Sequence, residues 1–279
     1  MNWGNSHKEA QKSQNIICAF CAFLWLFSFS ALAQQRPLLT EDPRVVPQGS
    51  FVAESGFSYL NRARFGLSGI GGNEFSAFVN GFNFGLSPHA EFQINGTIHN
   101  FVDENENGTG WRNDWWDWSL STKIRILPET PVLPIISFRP TIVLPNSNDS
   151  HGIGLNSMQF FGNILTGKIV GRGFVFGNGG LGILTDPVHV RAQQDVFTYG
   201  LAGVLTVSPR ISLLTEWNGW KNPRHVPSPG TESRAQVRLG AQIRAAGVRW
   251  DVAGMAGLTR LDPRVGLVFG LTKEFRLWK

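Results

Sequence analysis

Apolar and polar residues alternate with a period of two along most of the chain. The clearest stretch is ESRAQVRLGAQIR, residues 232–244, and DWSLSTKIRI, residues 117–126, follows the same rule with Lys123 and Arg125 flanking an isoleucine. Because successive side chains of a β-strand point to opposite faces, each stretch has one apolar face and one polar face. Helical spacing of apolar residues is not found after Gln34, so the pattern predicts an all-β fold.

The length of these stretches and the connections between them favour a membrane barrel over a soluble sandwich. The stretches run for about 9 to 13 residues, whereas a typical soluble strand has about 5 to 6 and a tilted strand needs about 9 to 11 to cross a bilayer. Short connections alternate with long polar ones such as VDENENGTGWRND, which is typical of outer-membrane barrels. The short connections are predicted near Pro88, Pro128, Gly171, Pro209 and Gly247.

We therefore predict a closed antiparallel transmembrane β-barrel of about twelve strands, with short periplasmic turns and longer extracellular loops. An even number of strands places both termini on the periplasmic side of a bacterial outer membrane. The predicted strands are 51–60, 74–86, 90–101, 115–127, 132–144, 157–169, 174–184, 197–207, 211–220, 232–244, 248–258 and 265–277.

The charged residues of the strands predict which face points inward. A cation on the lipid face would cost about 2 to 4 kcal/mol near the bilayer midplane, so the apolar faces are assigned to lipid and the polar faces to a hydrated lumen. We expect Glu216 to lie diagonally between Arg234 and Arg238, and Arg249 to lie opposite Glu274. The predicted lumen lining is Glu54, Glu91, Asp117, Lys123, Arg125, Arg139, Glu216, Arg234, Arg238, Arg244, Arg249, Asp251, Glu274 and Arg276.

Aromatic residues cluster at both ends of the predicted strands, as two interfacial girdles would. The set at the loop ends is Tyr59, Phe75, Trp115, Trp116, Phe197, Trp217 and Trp220, and the set at the turn ends is Phe84, Phe174, Trp250 and Phe275.

The first 33 residues are predicted to be a secretory signal peptide. The apolar stretch IICAFCAFLWLFSFSALA follows a lysine-containing flank and closes on a small-residue pattern, so we expect cleavage between Ala33 and Gln34. An uncleaved membrane anchor is the alternative. Cys18 and Cys21 both lie in this segment, so the mature barrel is expected to fold without disulfides.

Residues 34–49, QQRPLLTEDPRVVPQG, are proline-rich and do not alternate. They form either a periplasmic tail or a short plug that enters the lumen. The apolar residues Leu38, Leu39, Val45 and Val46 within a polar frame motivate the plug hypothesis. The expected organisation is a signal peptide at 1–33, this segment at 34–49 and a barrel at 50–279.

Three stretches, RPLLTEDPRVVPQGSF, TIVLPNSNDS and GNGGLGILTDPV, resemble segments of the bacterial outer-membrane transporter barrels of the phenol-degradation meta-pathway family. The likeness covers nearly the whole mature chain, but its motifs are turns and glycine-rich strands. It implies a β-barrel that helps small, often aromatic or hydrophobic, molecules through the outer membrane, and it carries no functional residues over to this chain. The C-terminal EFRLWK departs from the final aromatic residue expected by the barrel-assembly machinery, since Lys279 follows Trp278.

Three classes of function remain open from the sequence. Passive or facilitated passage of a small solute is the leading hypothesis, because the predicted interior is polar and mildly cationic. The second is a sealed structural or adhesive barrel whose long loops bind a partner through Trp115, Trp116 and Trp118.

The expected partners are outer-membrane lipid, the barrel-assembly machinery and a small solute; the formal net charge of +5 is too mild to indicate nucleic acid.

A barrel enzyme is the remote third possibility. Its acid and base groups would be His99 with Asp103, Asp114 and Asp117, joined by His151 or His225. A nucleophile elbow and the HExxH spacing are both lacking, and NSNDSH does not have the ligand spacing of a calcium loop. The sequence therefore predicts no enzyme activity, no metal and no cofactor.

Overall fold

The computed structural model describes residues 36–104, 110–189 and 191–278, all within the compact unit Ala33–Lys279. The predicted signal peptide and its cleavage site, Ala33 and Gln34, lie outside the described residues.

The described residues form one antiparallel sheet that closes on itself. The strands are β1 (Ser50–Arg64), β2 (Gly71–Ser87), β3 (Ala90–Asp103), β4 (Trp111–Asp114), β5 (Trp118–Leu127), β6 (Ile135–Leu144), β7 (Gln159–Val170), β8 (Gly173–Thr185), β9 (Gln193–Ser208), β10 (Ile211–Lys221), β11 (Arg234–Ala245), β12 (Val248–Gly257) and β13 (Val265–Arg276). Each strand pairs with its neighbours in sequence except that β4 and β5 both pair with β3, and β1 also pairs with β13, which closes the barrel. Within the described ranges, a 3-10 turn at Asp149–His151 is the helical element, and no helix is long and apolar enough to span a membrane.

The prediction of a closed barrel of twelve strands is confirmed, with one interruption. Both β4 and β5 pair with β3, so together they occupy one barrel position, and the chain leaves the ladder at residues 115–117. The predicted short turns are present, and Ala246 and Gly247 connect β11 to β12 with φ values of 52° and 69°. Two successive positive φ angles are typical of the two-residue turns that match the twist of a hairpin.

The apolar faces of the strands point outward. On β13, Val265, Leu267 and Phe269 are each about half exposed, whereas Val268 is buried. On β12, Trp250 is exposed and Asp251 is buried. Because a soluble sandwich would bury the apolar rows and expose the charged ones, this arrangement is that of a membrane barrel.

The interior at the short-turn end contains an apolar core as well as polar groups. Phe174 and Phe176 of β8 stack with ring centroids 5.2 Å apart and pack with Leu38, which precedes the barrel. Phe174 was predicted to be in the aromatic girdle at the turn ends, and that prediction is wrong because its position on β8 faces inward.

Gly96 on β3 allows an indole ring to lie against the barrel wall. A Cβ atom at this position would be 2.3 Å from Cδ2 of Trp118. We expect Gly96→Val to lower the free energy of unfolding by about 1 to 3 kcal/mol, since extra methyl groups in a tightly packed site force side-chain and backbone shifts. Thermal unfolding in detergent micelles measures the change. The matched control is Gly254→Val on β12, where an added Cβ has no atom within 4 Å; equal destabilisation of the two variants would contradict this explanation.

Candidate functional site

Residues 36–49, called the inner segment below, lie against the inward faces of strands on several sides of the barrel. The amide of Leu39 donates to Glu216 on β10, with the nitrogen 2.8 Å from Oε1. Lys123 on β5 donates to the carbonyl of Arg44 at 3.0 Å, and Ser137 on β6 donates to the carbonyl of Pro43 at 2.6 Å. The inner segment therefore crosses the lumen and contacts strands that are far apart in the sheet.

Carboxylates of the barrel wall accept hydrogen bonds from the backbone of the inner segment. Glu216 accepts from the amides of Leu39 and Thr40, and Glu91 accepts from the amide of Val46. Both carboxylates are buried. Since the segment forms no regular structure of its own, these wall groups supply partners that its buried amides need.

The first charged cluster is centred on Lys123, whose side chain is fully buried. Its ammonium group lies 2.6 Å from Glu41 of the inner segment and 3.0 Å from Glu91 of β3. Gln93 donates to Glu41 at 2.8 Å, and Arg139 lies 3.6 Å from the same carboxylate. The cluster thus joins the inner segment to three adjacent barrel strands, β3, β5 and β6.

The second charged cluster is centred on Arg249 of β12. Its guanidinium group lies 3.1 Å from Glu54 and 2.9 Å from Asp251, and it donates to the hydroxyl of Thr272 at 2.8 Å. It also donates to the carbonyl of Arg36 at 3.2 Å. This cluster joins β1, β12 and β13, where the first and last strands of the barrel meet.

Two of the ion pairs expected from the sequence have a different register. Arg249 pairs across the ladder with Thr272 rather than with Glu274, so the predicted contact between Arg249 and Glu274 is wrong. Glu216 lies directly opposite Arg238, at 3.8 Å, and not diagonally between two arginines. Arg234 lies opposite Trp220 and is 3.9 Å from Asp262 of the β12–β13 connection.

The remaining residues of the predicted lining lie near the two ends of the barrel. Asp117 is in the break between β4 and β5, where it accepts from the amides of Asn146 and Ser147. Arg125 donates to the carbonyl of Pro88 in a short turn at 2.7 Å. Arg244 and Glu274 are half-buried and Arg276 is exposed, all towards the short-turn end.

Several residues that organise the interior were not identified from the sequence. Glu41 and Arg36 of the inner segment contact the charged clusters, although only the apolar residues of that segment suggested a plug. Gln93 and Thr272 lie on the same face of their strands as predicted lining residues, so the alternation of side chains already indicates that both point inward. No sequence pattern indicates the partners of Glu41, because the path of an irregular segment does not follow from neighbouring residues.

A cavity of about 610 Å³ lies in the lumen between the inner segment and the long loops. Leu38 and Leu39 contribute to it from the inner segment, and Trp116 and Trp220 contribute from the long-loop end. Both tryptophans were predicted to face lipid, and both predictions are wrong; Trp220 instead donates to the carbonyl of Glu232 at 2.8 Å. The other lining residues include Leu60, Phe65, Glu74, Ile153, Phe161, Arg234, Arg238, Met255, Asp262 and Val268.

The barrel wall is incomplete beside this cavity. β3 pairs with β5 as far as Asn95 and with β4 from Asn100 onward, so the ladder is interrupted between them. The amide of Trp116 donates to the carbonyl of Thr97 within this interval, at 3.4 Å. The tryptophan therefore occupies the interruption, because the strand break turns its side chain towards the lumen.

The histidine cluster considered from the sequence is not assembled. His99 contacts the side-chain oxygen of Asn113 at 3.2 Å and packs against Phe101, with ring centroids 4.7 Å apart. Asp114 instead lies 3.6 Å from His151 and accepts from the amide of Asn148. Across the described ranges, no group of three or more His, Cys, Asp or Glu side chains could hold a metal ion.

Asp186, at the start of the β8–β9 loop, organises two long loops. Its carboxylate accepts from Ser228 at 2.5 Å, from Gln194 at 2.9 Å and from the amides of Val188 and His189. The hydrogen bond from Ser228 and those from the other donors outweigh desolvation and hold the pKa of Asp186 below its ordinary value.

A depressed pKa predicts how the stability of these loops depends on pH. The carboxylate stabilises the folded loops fully above the pKa of an unfolded Asp, about 3.9, and this contribution is lost as the pH falls through the lower folded value. We expect Asp186→Asn to lower the thermal midpoint at pH 5, and by less at pH 3. Circular dichroism in micelles measures both. Asp195→Asn, at an exposed position on β9, is the control; a difference that does not shrink at pH 3 would contradict the prediction.

Solved structures that resemble the chain are outer-membrane barrels. The COG4313 outer membrane channel from Pseudomonas putida F1 matches with a TM-score of 0.63 and 14% identity, over 84% of this chain and 98% of that one. The NanC porin matches with a TM-score of 0.48 and 8% identity over 80% and 97% of the two chains, and a mutant of the TodX monoaromatic hydrocarbon channel with 0.44 and 9% over 82% and 91%. No protein-family model and no curated protein sequence matches the chain. The first similarity shows the fold alone, and a closed barrel of this kind supports an outer-membrane location.

Proposed function

We propose that the protein is an outer-membrane channel for small solutes, and that the inner segment is a plug that narrows its lumen. The observation that carries the proposal is the cavity of about 610 Å³ between the inner segment and the long loops, inside a closed barrel with an apolar exterior. A channel needs such an interior space, and a plugged channel also needs a plug that can move.

The contacts of the inner segment suit a plug that leaves and returns. Many are hydrogen bonds and ion pairs with wall groups such as Glu216, Glu91 and Lys123. When such a segment moves away, water can replace it at the charged wall, whereas an apolar wall would be left exposed to water. The polar contacts therefore keep the cost of displacement low.

The lining of the cavity supports a small, partly hydrophobic solute. Apolar side chains such as Leu60, Phe65 and Met255 form much of its surface, and Glu74 and Arg234 add polar groups. Small-molecule sites have volumes of about 300 to 1,000 Å³ and a similar mixture of many apolar and few polar groups. We propose hydrophobic or aromatic compounds as the solute class, in line with the resemblance to phenol-degradation transporter barrels. The proposed role is transport without catalysis.

The proposed topology has both termini in the periplasm and the long loops outside the cell. It assumes that residues 1–33 are removed as a signal peptide, that the barrel-assembly machinery inserts the chain and that lipid surrounds the exposed apolar faces. Short turns at the periplasmic end are the arrangement found in bacterial outer-membrane barrels.

Solute flux with the plug free, removed or locked tests the proposal. Liposome swelling and planar-bilayer conductance would compare the mature protein, a variant lacking residues 36–46, and a Pro43→Cys/Ser137→Cys pair. Ser137 already donates to the carbonyl of Pro43 at 2.6 Å, so the two residues are in contact. We expect the deletion to raise conductance several-fold and the oxidised pair to fall below its reduced form, with each single cysteine variant as the control. If membranes that contain the mature protein and membranes that contain the deletion variant were both impermeable, the channel proposal would be wrong.

The alternative of a sealed or adhesive barrel requires a binding patch on the long loops. Trp115 is about half exposed, but Trp116 lines the cavity and Trp118 packs over Gly96, so the three tryptophans do not form one patch. The geometry therefore favours the channel. Trimming the long loops would abolish surface adhesion without changing permeability if the alternative were correct.

A further inference from the structure

Three arginines lie on adjacent segments at the long-loop end of the barrel. Arg62 near the end of β1 and Arg260 and Arg264 of the β12–β13 connection are exposed. Among the described residues, none of their side chains forms an ion pair or a hydrogen bond. These three residues are called the arginine cluster below.

The fold holds the connection carrying Arg260 and Arg264 against the end of β1. The amide of Arg264 donates to the carbonyl of Asn61 at 2.9 Å. The guanidinium of Arg234 donates both to the carbonyl of Leu261 and, at 3.1 Å, to that of Arg64. Hydrogen bonds therefore hold the segments that carry Arg62, Arg260 and Arg264 against each other.

This placement brings like charges to adjacent backbone positions, where a bound anion would be favourable. β1 and β13 pair as far as Asn61 and Val265, so Arg62 and Arg264 are the next residues on neighbouring chains. Like charges facing each other across strands are destabilising. The side chain of Asp262, in the same connection, is buried; its carboxylate accepts from the amides of Ala235 and Thr259 and lies 3.9 Å from Arg234.

An apolar surface lies next to the cluster on the same two strands. Tyr59 on β1 and Val265 and Leu267 on β13 are each about half exposed. Phe57 and Phe75 stack on the adjoining surface with ring centroids 6.1 Å apart. A ligand that covers both regions has acyl chains and an anionic head group.

We propose that the arginine cluster binds the phosphate groups of the phosphorylated glycolipid of the outer leaflet, lipid A, with its acyl chains against the exposed surface of β1 and β13. Guanidinium groups match phosphate by paired hydrogen bonds, which makes arginine the side chain suited to this contact. The proposal rests on the proposed orientation, with the long loops outside the cell.

Cations at the short-turn end differ from the cluster in their contacts. Arg125 donates to the carbonyl of Pro88, Arg172 to that of Val207, and Lys168 to three carbonyls of the β5–β6 connection. Their donors are used within the protein to hold turns. Within the described parts of the chain, the side-chain donors of the arginine cluster have no partner, so they are available to a ligand.

The test is retention of lipid by the full mature protein. Purified protein in micelles would be incubated with lipid A or with its dephosphorylated form, and bound lipid counted by native mass spectrometry. We expect Arg62→Ala/Arg260→Ala/Arg264→Ala to bind lipid A about a hundredfold more weakly, given the energy of arginine near an anionic lipid surface. The matching triple lysine variant should keep part of the binding, because it keeps the charge. The mature protein should bind the dephosphorylated lipid weakly.

The control variant is Arg210→Ala, an exposed arginine in a short turn. Equal lipid A binding by the mature protein and the triple alanine variant would overturn the proposal, as would equal binding of the two lipids. Loss of binding in Arg210→Ala alone would place the lipid at the other end and overturn both this site and the orientation. Inorganic phosphate that competes as well as lipid A would show a free-anion site instead. Solute flux is measured separately, so a sealed barrel that still binds lipid A would overturn only the channel.

Discussion

Lys123→Met should release the inner segment and raise single-channel conductance several-fold. Lys123 is fully buried and neutralises Glu41 of the inner segment and Glu91 of the wall. Removing one partner of a buried ion pair costs about 3 to 5 kcal/mol, because the remaining charges stay buried without compensation. In this variant the docked state of the inner segment is destabilised, because both carboxylates regain contact with water when the segment leaves the wall. Planar-bilayer conductance and labelling of a cysteine introduced at Leu38, which is buried, measure the release.

Two control variants separate release of the segment from general damage. Lys168→Met removes a cation whose contacts are turn carbonyls and Glu129 at 4.0 Å, all outside the inner segment, so conductance should not change. Lys123→Met combined with Glu91→Gln leaves Glu41 paired with Arg139 and removes the other buried carboxylate charge of the cluster, so it should regain low conductance. Unchanged conductance and labelling in Lys123→Met, in a folded barrel, would show that this lysine does not hold the segment in place.

Arg249→Met should mainly reduce the stability of the barrel. Arg249 neutralises Glu54 on β1 and Asp251 on its own strand, and it donates to Thr272 on β13. The variant leaves two buried carboxylates facing each other where the first and last strands meet. We expect a loss of about 3 to 5 kcal/mol in the free energy of unfolding, by the same reasoning as for other buried pairs. Urea unfolding in micelles, followed by tryptophan fluorescence, measures it.

Arg276→Met is the matched control for that experiment. Arg276 is exposed at the short-turn end of β13, so its loss should change the unfolding free energy by well under 1 kcal/mol. If Arg249→Met unfolded at the same urea concentration as Arg276→Met, the ion pairs at the barrel closure would have no net stabilising role. Lys123→Met should have a different effect from Arg249→Met, because it should open the channel while the barrel remains folded.

The strands and their faces followed from local sequence because both properties are local. A strand alternates its side chains regardless of its neighbours, so the rows around Lys123 and Val268 indicated which residues point inward. Alternation does not predict where a strand is interrupted. The chain leaves the ladder at residues 115–117, which turns Trp116 into the lumen although simple alternation assigns it to the lipid face.

The sequence by itself determined a closed barrel of twelve strands, its short turns and the inward direction of its charged rows. Only the tertiary structure decided which charges meet. Cross-strand register depends on the whole hydrogen-bonded ladder, so Arg249 came to lie opposite Thr272 rather than Glu274. The partner of Lys123 comes from the inner segment, whose path across the lumen is set by acceptors on distant strands. Alternation in sequence carries no information about either relationship, because both are set by contacts between parts of the chain that are far apart.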